Sequence, residues 1–265
     1  MELGAVIGLW IGCIGLALYA LNFYVGTLGV GIDAHAYWVA GRTAHPYSAA
    51  PGFRDAFLYT PVFAMVMRPF SLLPWPAFLT LWMVAESAAF LWLTAPLRWR
   101  WRGPLLLVCV PEILLGNLYG FFGLVAVLGL RVPELWALPL LTKITPGGIG
   151  LLWFLARGEW RQLARAVLFT LALCVISEVV APHLWVEWFR FLRHNSGHAT
   201  SWPEVRLAVS AIVTVLAART GRRWVVPLAM VFCVPNYQWT NKDFAMLPPA
   251  ARLAVEGGSS EPHSR

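Results

Sequence analysis

The chain has 265 residues, 59% of them hydrophobic and only 12% charged, with a formal net charge of +7. Soluble globular domains carry about 25% charged residues, so a water-soluble fold is excluded. Apolar runs of helical length, broken by Pro, Gly and Arg, also exclude a β-barrel, and arginines confined to short clusters between those runs point to membrane topology rather than nucleic acid.

The pattern predicts one all-α polytopic membrane domain over residues 1–255, with a polar, disordered Gly/Ser-rich tail over 256–265. The first apolar stretch, 3–24, has the ~20 residues of a bilayer crossing and is read as an uncleaved first span. Beyond it, in "GIDAHAYWVAGR", Asp33 stands at the membrane exit, and His35, Tyr37, Trp38 and Arg42 follow at helical spacing. Two roles for Asp33 are compatible: N-cap of a short helix beginning at Ala34, or an acid held at the membrane mouth for chemistry. The following "LYTPVFAMVMRPFSLLP" carries Arg68 amid Pro61, Pro69 and Pro74, which fits an amphipathic helix lying on the surface rather than a span. Segment 25–75 is therefore read as an external loop with juxtamembrane helices.

A second span covers 76–97 and has Glu86 in its middle, read as a structural partner within the bundle. Short apolar runs follow at 104–116, 118–130, 133–146 and 147–156, with breaks signalled by Pro111, Pro139 and Pro146. The runs 164–181, 204–219, 224–235 and a short 243–255 bring the expectation to about nine to ten transmembrane segments. Basic clusters at Arg98/Arg100/Arg102, Arg131, Arg157/Arg161/Arg165 and Arg219/Arg222/Arg223 then all fall on the cytoplasmic side. Cys13, Cys109, Cys174 and Cys233 lie within apolar segments without metal-ligand spacing, so neither a disulfide framework nor a metal site is expected.

The opposite face gathers the loop 25–75, the "LLGNLY" turn, the "TKITPGG" break, "APHLWVEWFRFLRHNSGHATSWP" and "PNYQWTNKDF". Both lysines, Lys143 and Lys242, fall there, as do His35, His45, His183, His194 and His198. Its acids are Asp33, Asp55, Glu112, Glu178, Glu187, Glu204 and Asp243; Glu187 and Glu204, set among Trp and Arg, read as solvated or paired. Asn117, after Gly116, suits a helix end as well as a sugar contact. An enzyme acting on a lipid-linked substrate needs an interfacial acid or base, cations for a phosphate and an apolar groove, and this face offers all three. Snorkelling is the plainer role for Lys143, Lys242, His183 and His198.

"DAHAYWVAGR", "PYSAAPGFRDAFLYTPVFAMVMRPFSLLP", "GN" and "LLTKITPGG" together resemble the GT87 (DUF2029) group of polyprenol-phosphate-mannose-dependent mannosyltransferases of the GT-C superfamily. The resemblance spans about residues 1–200. It implies a GT-C-like bundle that moves a hexose, mannose by the resemblance, from a polyprenyl-phosphate donor to a lipid or glycan acceptor with inversion. It implies a plasma-membrane location and an extracytoplasmic active site without metal or cofactor. By the same resemblance Asp33 is the general base. Lys143, Arg42 and His198 hold the phosphate with Lys242 and His183 behind them, and Tyr37 and Tyr59 line the sugar pocket. Members of the group run longer, so a partner subunit completing the C-terminal side is also expected. The alternatives are an inactive or accessory subunit, and a transporter or flippase of lipid-linked saccharides.

Overall fold

A computed structural model describes residues 2–195, 202–234 and 241–258, and every regular element among them is helical. In chain order these are α1 (Glu2–Phe23), α2 (Ile32–Arg42), α3 (Pro61–Ser71), α4 (Trp75–Thr94), α5 (Trp99–Leu107), α6 (Val110–Leu115) and α7 (Tyr119–Leu128). They are followed by α8 (Ala137–Thr142), α9 (Ile144–Ala156), α10 (Trp160–Val180), α11 (Pro182–His194), α12 (Pro203–Arg219), α13 (Val225–Phe232) and α14 (Leu247–Gly258). A π-helical turn, Tyr24–Leu28, extends α1, and α14 runs on to Gly258, into what composition assigns to the tail.

The bundle has two chemically distinct ends. At one, the start of α1 meets α5, with the Trp10 and Trp99 rings 6.3 Å apart. There Arg131, Arg223 and Arg252 surround a small cavity of about 50 Å³ beside Trp92, near the end of α4. Arg157 donates to the Ala218 carbonyl, joining the turn before α10 to the end of α12. At the other end the Gly31 N–H donates to the Leu114 carbonyl, which brings the start of α2 to the end of α6. Arg131, Arg157 and Arg223 thus stand at one end, and the start of α2 with the end of α6 at the other.

Against the expectation of about nine to ten spans, three helices among the described residues, Gly4–Leu28, Trp75–Thr94 and Trp160–Val180, are long and apolar enough to cross a membrane. The central elements are too short: at 1.5 Å per residue α7 is about 15 Å long and α9 about 20 Å, against a hydrocarbon core of ~30 Å. Pro111, Pro139 and Pro146 each sit in the first turn of α6, α8 or α9, where a missing N–H is harmless, so they start new helices where longer ones would otherwise continue. Broken, short helices here pack side by side around Phe90, Phe122, Trp136, Trp153 and Phe154, all fully buried.

Between α1 and α4, α2 and α3 pack against each other. α3 buries Val62, Phe63, Ala64 and Met67 and exposes Val66, Phe70 and Leu72 beside it, an amphipathic element as its sequence predicts.

Candidate active site

The site begins with two tight turns. Gly31 (φ +75°) caps α2 and Gly116 (φ +72°) ends α6, both in the left-handed region that a side chain disfavours. The structure therefore corrects the cap reading of Asp33: the helix begins at Ile32 with Gly31 as its cap, and Asp33 lies within the first turn. Its carboxylate is turned across the bundle, where Oδ2 accepts a hydrogen bond from Asn117 Nδ2.

Asn117 is only 3% exposed, and its amide works in both directions. Nδ2 donates to the acid while Oδ1 accepts from the Lys143 ammonium at 3.1 Å and from the Leu118 N–H at 2.7 Å. Lys143 occupies the non-helical junction between α8 and α9, and its Nζ lies 4.2 Å from the centre of the Tyr119 ring, a cation–π contact. One amide thus holds an anion and a cation beside each other.

The turn that carries Asn117 is itself held by a carboxyl, with a second one packed beside it. Glu112 Oε1 accepts the Tyr119 N–H at 2.9 Å, and Glu86 from α4 lies against the Gly120 backbone. Carboxylates near the first N–H groups of a helix are favoured, because those donors lack intrahelical partners. Both glutamates are fully buried.

One helical turn beyond Asp33, the Tyr37 hydroxyl lies 3.2 Å from that of Tyr59, whose carbonyl accepts from Tyr47 at 3.0 Å. Burial, then Tyr59 and Asp33, hold the Tyr37 phenol well above the usual tyrosine range. Desolvation and the neighbouring Asp33 likewise raise Tyr59. Both are neutral hydroxyls at ordinary pH and can serve as hydrogen-bond donors.

The structure therefore brings together Asp33, Tyr37, Tyr59 and Lys143 from the residues singled out by sequence. Arg42 is elsewhere: at the far end of α2 it donates to the Ser71 carbonyl at 2.8 Å and stacks on Trp38, fastening α2 to α3. His183 is exposed in the first turn of α11, and no described contact links it to Asp33 or Lys143. His198 and the Lys242 side chain lie outside the described residues. His35, next to the site in sequence, is paired through Nδ1 with Asp55, and Glu187 is paired with His45, as its surroundings predict.

Sequence reasoning left Asn117 open between a helix end and a sugar contact, did not pair it with Asp33 and Lys143, and did not connect Glu112 and Glu86 with the turn. The available signal was a polar Gly-Asn pair between apolar runs that also contain the two acids. Among the described residues no three His, Cys, Asp or Glu side chains converge as a metal-ligand set.

An apolar groove of about 420 Å³ opens beside this centre, between α3, α7, α8 and α10. Phe63, Met67, Leu138 and Leu173 form its walls, and its lining includes Leu118 and Thr142, the neighbours in sequence of Asn117 and Lys143.

An anchored acid and cation at the end of an apolar helical bundle, beside a groove of lipid-like polarity, mark a membrane protein with an enzyme-like centre. The family model for glycosyltransferase family 87 matches residues 57–240, more than half of the chain, and the chain belongs to that family. It is accordingly a membrane glycosyltransferase. The matched stretch includes Tyr59, Asn117 and Lys143 and begins after Asp33. No curated protein and no solved structure matches the chain.

Proposed function

We propose that the protein is a GT-C-like transferase that moves a hexose, mannose in our reading, from a polyprenyl-phosphate donor to a hydroxyl of a lipid or glycan acceptor, with inversion. Asp33 takes the acceptor proton as the acceptor oxygen bonds to the anomeric carbon and the bond from that carbon to the phosphate oxygen breaks. Polyprenyl phosphate departs with the electron pair. Phosphate is already a good leaving group, so one carboxylate suffices where glycoside hydrolysis uses two. Lys143 offsets the charge that gathers on the leaving phosphate. Tyr37 and Tyr59 stand near Asp33 as neutral donors for sugar hydroxyls.

The observation that carries this reading is the Asp33–Asn117–Lys143 chain of hydrogen bonds, which sets base and phosphate cation one side chain apart. The adjoining apolar groove supports an isoprenoid tail. Transport would call for polar groups near the bilayer midplane, whereas those of this protein gather at one end. Arginines at the opposite end favour an extracytoplasmic site in the plasma membrane by the positive-inside rule.

The test is sugar transfer from a short-chain polyprenyl-phosphate mannose by the purified protein and by Asp33→Asn. Loss of a positioned base predicts a fall of about 10²–10⁴ in rate. Equal turnover by the two proteins removes Asp33 as the base.

A further inference from the structure

The end of the bundle opposite the candidate active site holds the cavity of about 50 Å³ beside Trp92. Its basic walls come from three separate places in the chain. Arg131 lies in the turn after α7, Arg223 in the turn between α12 and α13, and Arg252 on α14. Trp92 and the α7 residues Val127 and Leu128 supply apolar lining. Three guanidiniums thus line the space against one carboxylate, Glu256.

The protein itself engages one of the three. Arg252 Cζ lies 3.7 Å from the centre of the Trp92 ring, while Nη1 donates to the Trp92 carbonyl and Nε pairs with Glu256 Oε1 at 2.8 Å. That side chain is a fixed wall. Arg131 and Arg223 are exposed, and among the described residues neither side chain has a hydrogen bond or an ion pair. Once Arg252 and Glu256 offset each other, two like charges remain at one small opening, and they repel until an anion stands between them. A phosphate group answers that demand, because its oxygens accept the forked N–H groups of guanidinium in pairs. The space equals one or two waters at ~30 Å³ each, which suits a phosphate and is too small for a sugar.

The height of the cavity relative to a bilayer follows from α4. This helix is long and apolar enough to cross a membrane, and Trp92 stands two residues before its end. Trp99 and Trp101 open α5 just beyond, so three tryptophans mark this end, as aromatic side chains do at the level of lipid headgroups. Basic pockets between membrane helices on the arginine-rich side bind the headgroup phosphates of anionic lipids.

We infer that this cavity is a binding site for a phosphate group, that of an anionic phospholipid in the adjoining leaflet, with Arg131 and Arg223 gripping it and Arg252 as the wall behind. A phosphate held there joins the turn after α7 to the turn after α12. The inference goes beyond the transferase reading and does not depend on it, since Asp33 and Lys143 lie at the other end.

The experiment measures binding by the detergent-purified full chain in native mass spectrometry, without sugar donor or acceptor. The probes are phosphatidic acid, phosphatidylcholine, whose phosphate is masked by its own cation, and inorganic phosphate. Phosphatidic acid is expected to bind about tenfold tighter than phosphatidylcholine, the scale of one hydrogen bond to a charged group. Arg131→Gln with Arg223→Gln abolishes that preference, and Arg131→Lys with Arg223→Lys keeps part of it. Arg98→Gln with Arg161→Gln removes two arginines of the same end that lie outside the cavity, and leaves the preference as in the parent. All four positions are exposed, so the core is untouched; should the Arg131/Arg223 pair still fail to fold, each single glutamine variant is required to show a loss. Equal affinity of the parent for the two lipids overturns the proposal, as does an unchanged preference in the Arg131/Arg223 variants. An equal loss in the Arg98/Arg161 pair overturns it too, because diffuse surface charge then accounts for the binding. Inorganic phosphate that binds as tightly as phosphatidic acid, and is lost with Arg131 and Arg223, overturns the lipid as the source and supports the phosphate site.

Discussion

Asn117→Ala is the perturbation that bears most directly on the centre. It deletes the donor to Asp33 and the acceptor for both Lys143 and the Leu118 N–H, at a position only 3% exposed. Water has little access there to replace what is lost. Hydrogen bonds to charged groups are worth about 1.5–3 kcal/mol each, and only the part that is stronger in the transition state appears in the rate. If one such bond is spent on aligning the base, kcat/KM falls about 10- to 150-fold at ~1.4 kcal/mol per decade. Asn117→Asp keeps an acceptor for Lys143 but sets a second carboxylate against Asp33. Like charges at one site bind a proton more tightly, so the acid limb of the pH–rate profile moves to higher pH. The assay is transfer from a short-chain polyprenyl-phosphate mannose across the acid and neutral range, with thermal unfolding measured alongside. A purely structural amide would lower the unfolding temperature and leave the pH limb in place. Parent-like kcat/KM in Asn117→Ala, together with an unmoved limb in Asn117→Asp, refutes the coupling of acid to cation through this residue.

Lys143→Met is expected to raise the KM for donor or lower kcat by a combined factor of about 10–150, from the same charge-assisted range; Lys143→Arg, which keeps the charge, recovers part of it. Gly120→Ala places a Cβ 2.8 Å from Glu86 Cγ and 3.2 Å from the Phe90 ring. Overpacking of this kind costs about 1–3 kcal/mol, to be read from denaturation of the variant beside the parent. Tyr37 and Tyr59, whose phenols are raised by desolvation and by Asp33, stay neutral while tyrosines of an unfolded chain ionise near pH 10. The folded state then holds more protons than the unfolded one, so their contribution is complete below about pH 10 and declines above it. Tyr37→Phe and Tyr59→Phe should flatten that alkaline loss in unfolding experiments.

Local signals carried part of this architecture. Asp33 and Tyr37 lie four residues apart, and that spacing alone puts them on one face of α2. The prolines and Arg68 mark α3 as a surface element, and the arginine clusters mark one end of the bundle. The failures have equally definite causes. An apolar run of a dozen residues reads the same whether it crosses a membrane or forms half of a broken pair, so the breaks between residues 104 and 156 do not by themselves count spans. Asp before Ala-His-Ala suits a cap and a first-turn position alike. The choice is made by Gly31, whose left-handed turn and bond to the Leu114 carbonyl start the helix earlier. Asn117 gains its role only from partners 84 residues before it and 26 after it, a meeting that no local pattern encodes.

Those short central helices bear on why the centre is polar at all. Leu173, which shares the groove wall with Leu138 and Leu141, lies about 10 Å short of the end of α10 at 1.5 Å per residue. The junction between α8 and α9 that carries Lys143 begins two residues beyond Leu141, so the cation stands next to the apolar groove wall. Charges beside such a surface lose solvation, and an isolated lysine or aspartate there would be costly. The protein offsets the loss with short-range partners: the Asn117 amide for both charges, the Tyr119 ring for the ammonium, and Glu112 for the Tyr119 N–H that the start of α7 leaves bare. Dipoles fixed in this way need little reorganisation when charge moves from an acceptor oxygen to a leaving phosphate, which is how preorganised sites lower a barrier.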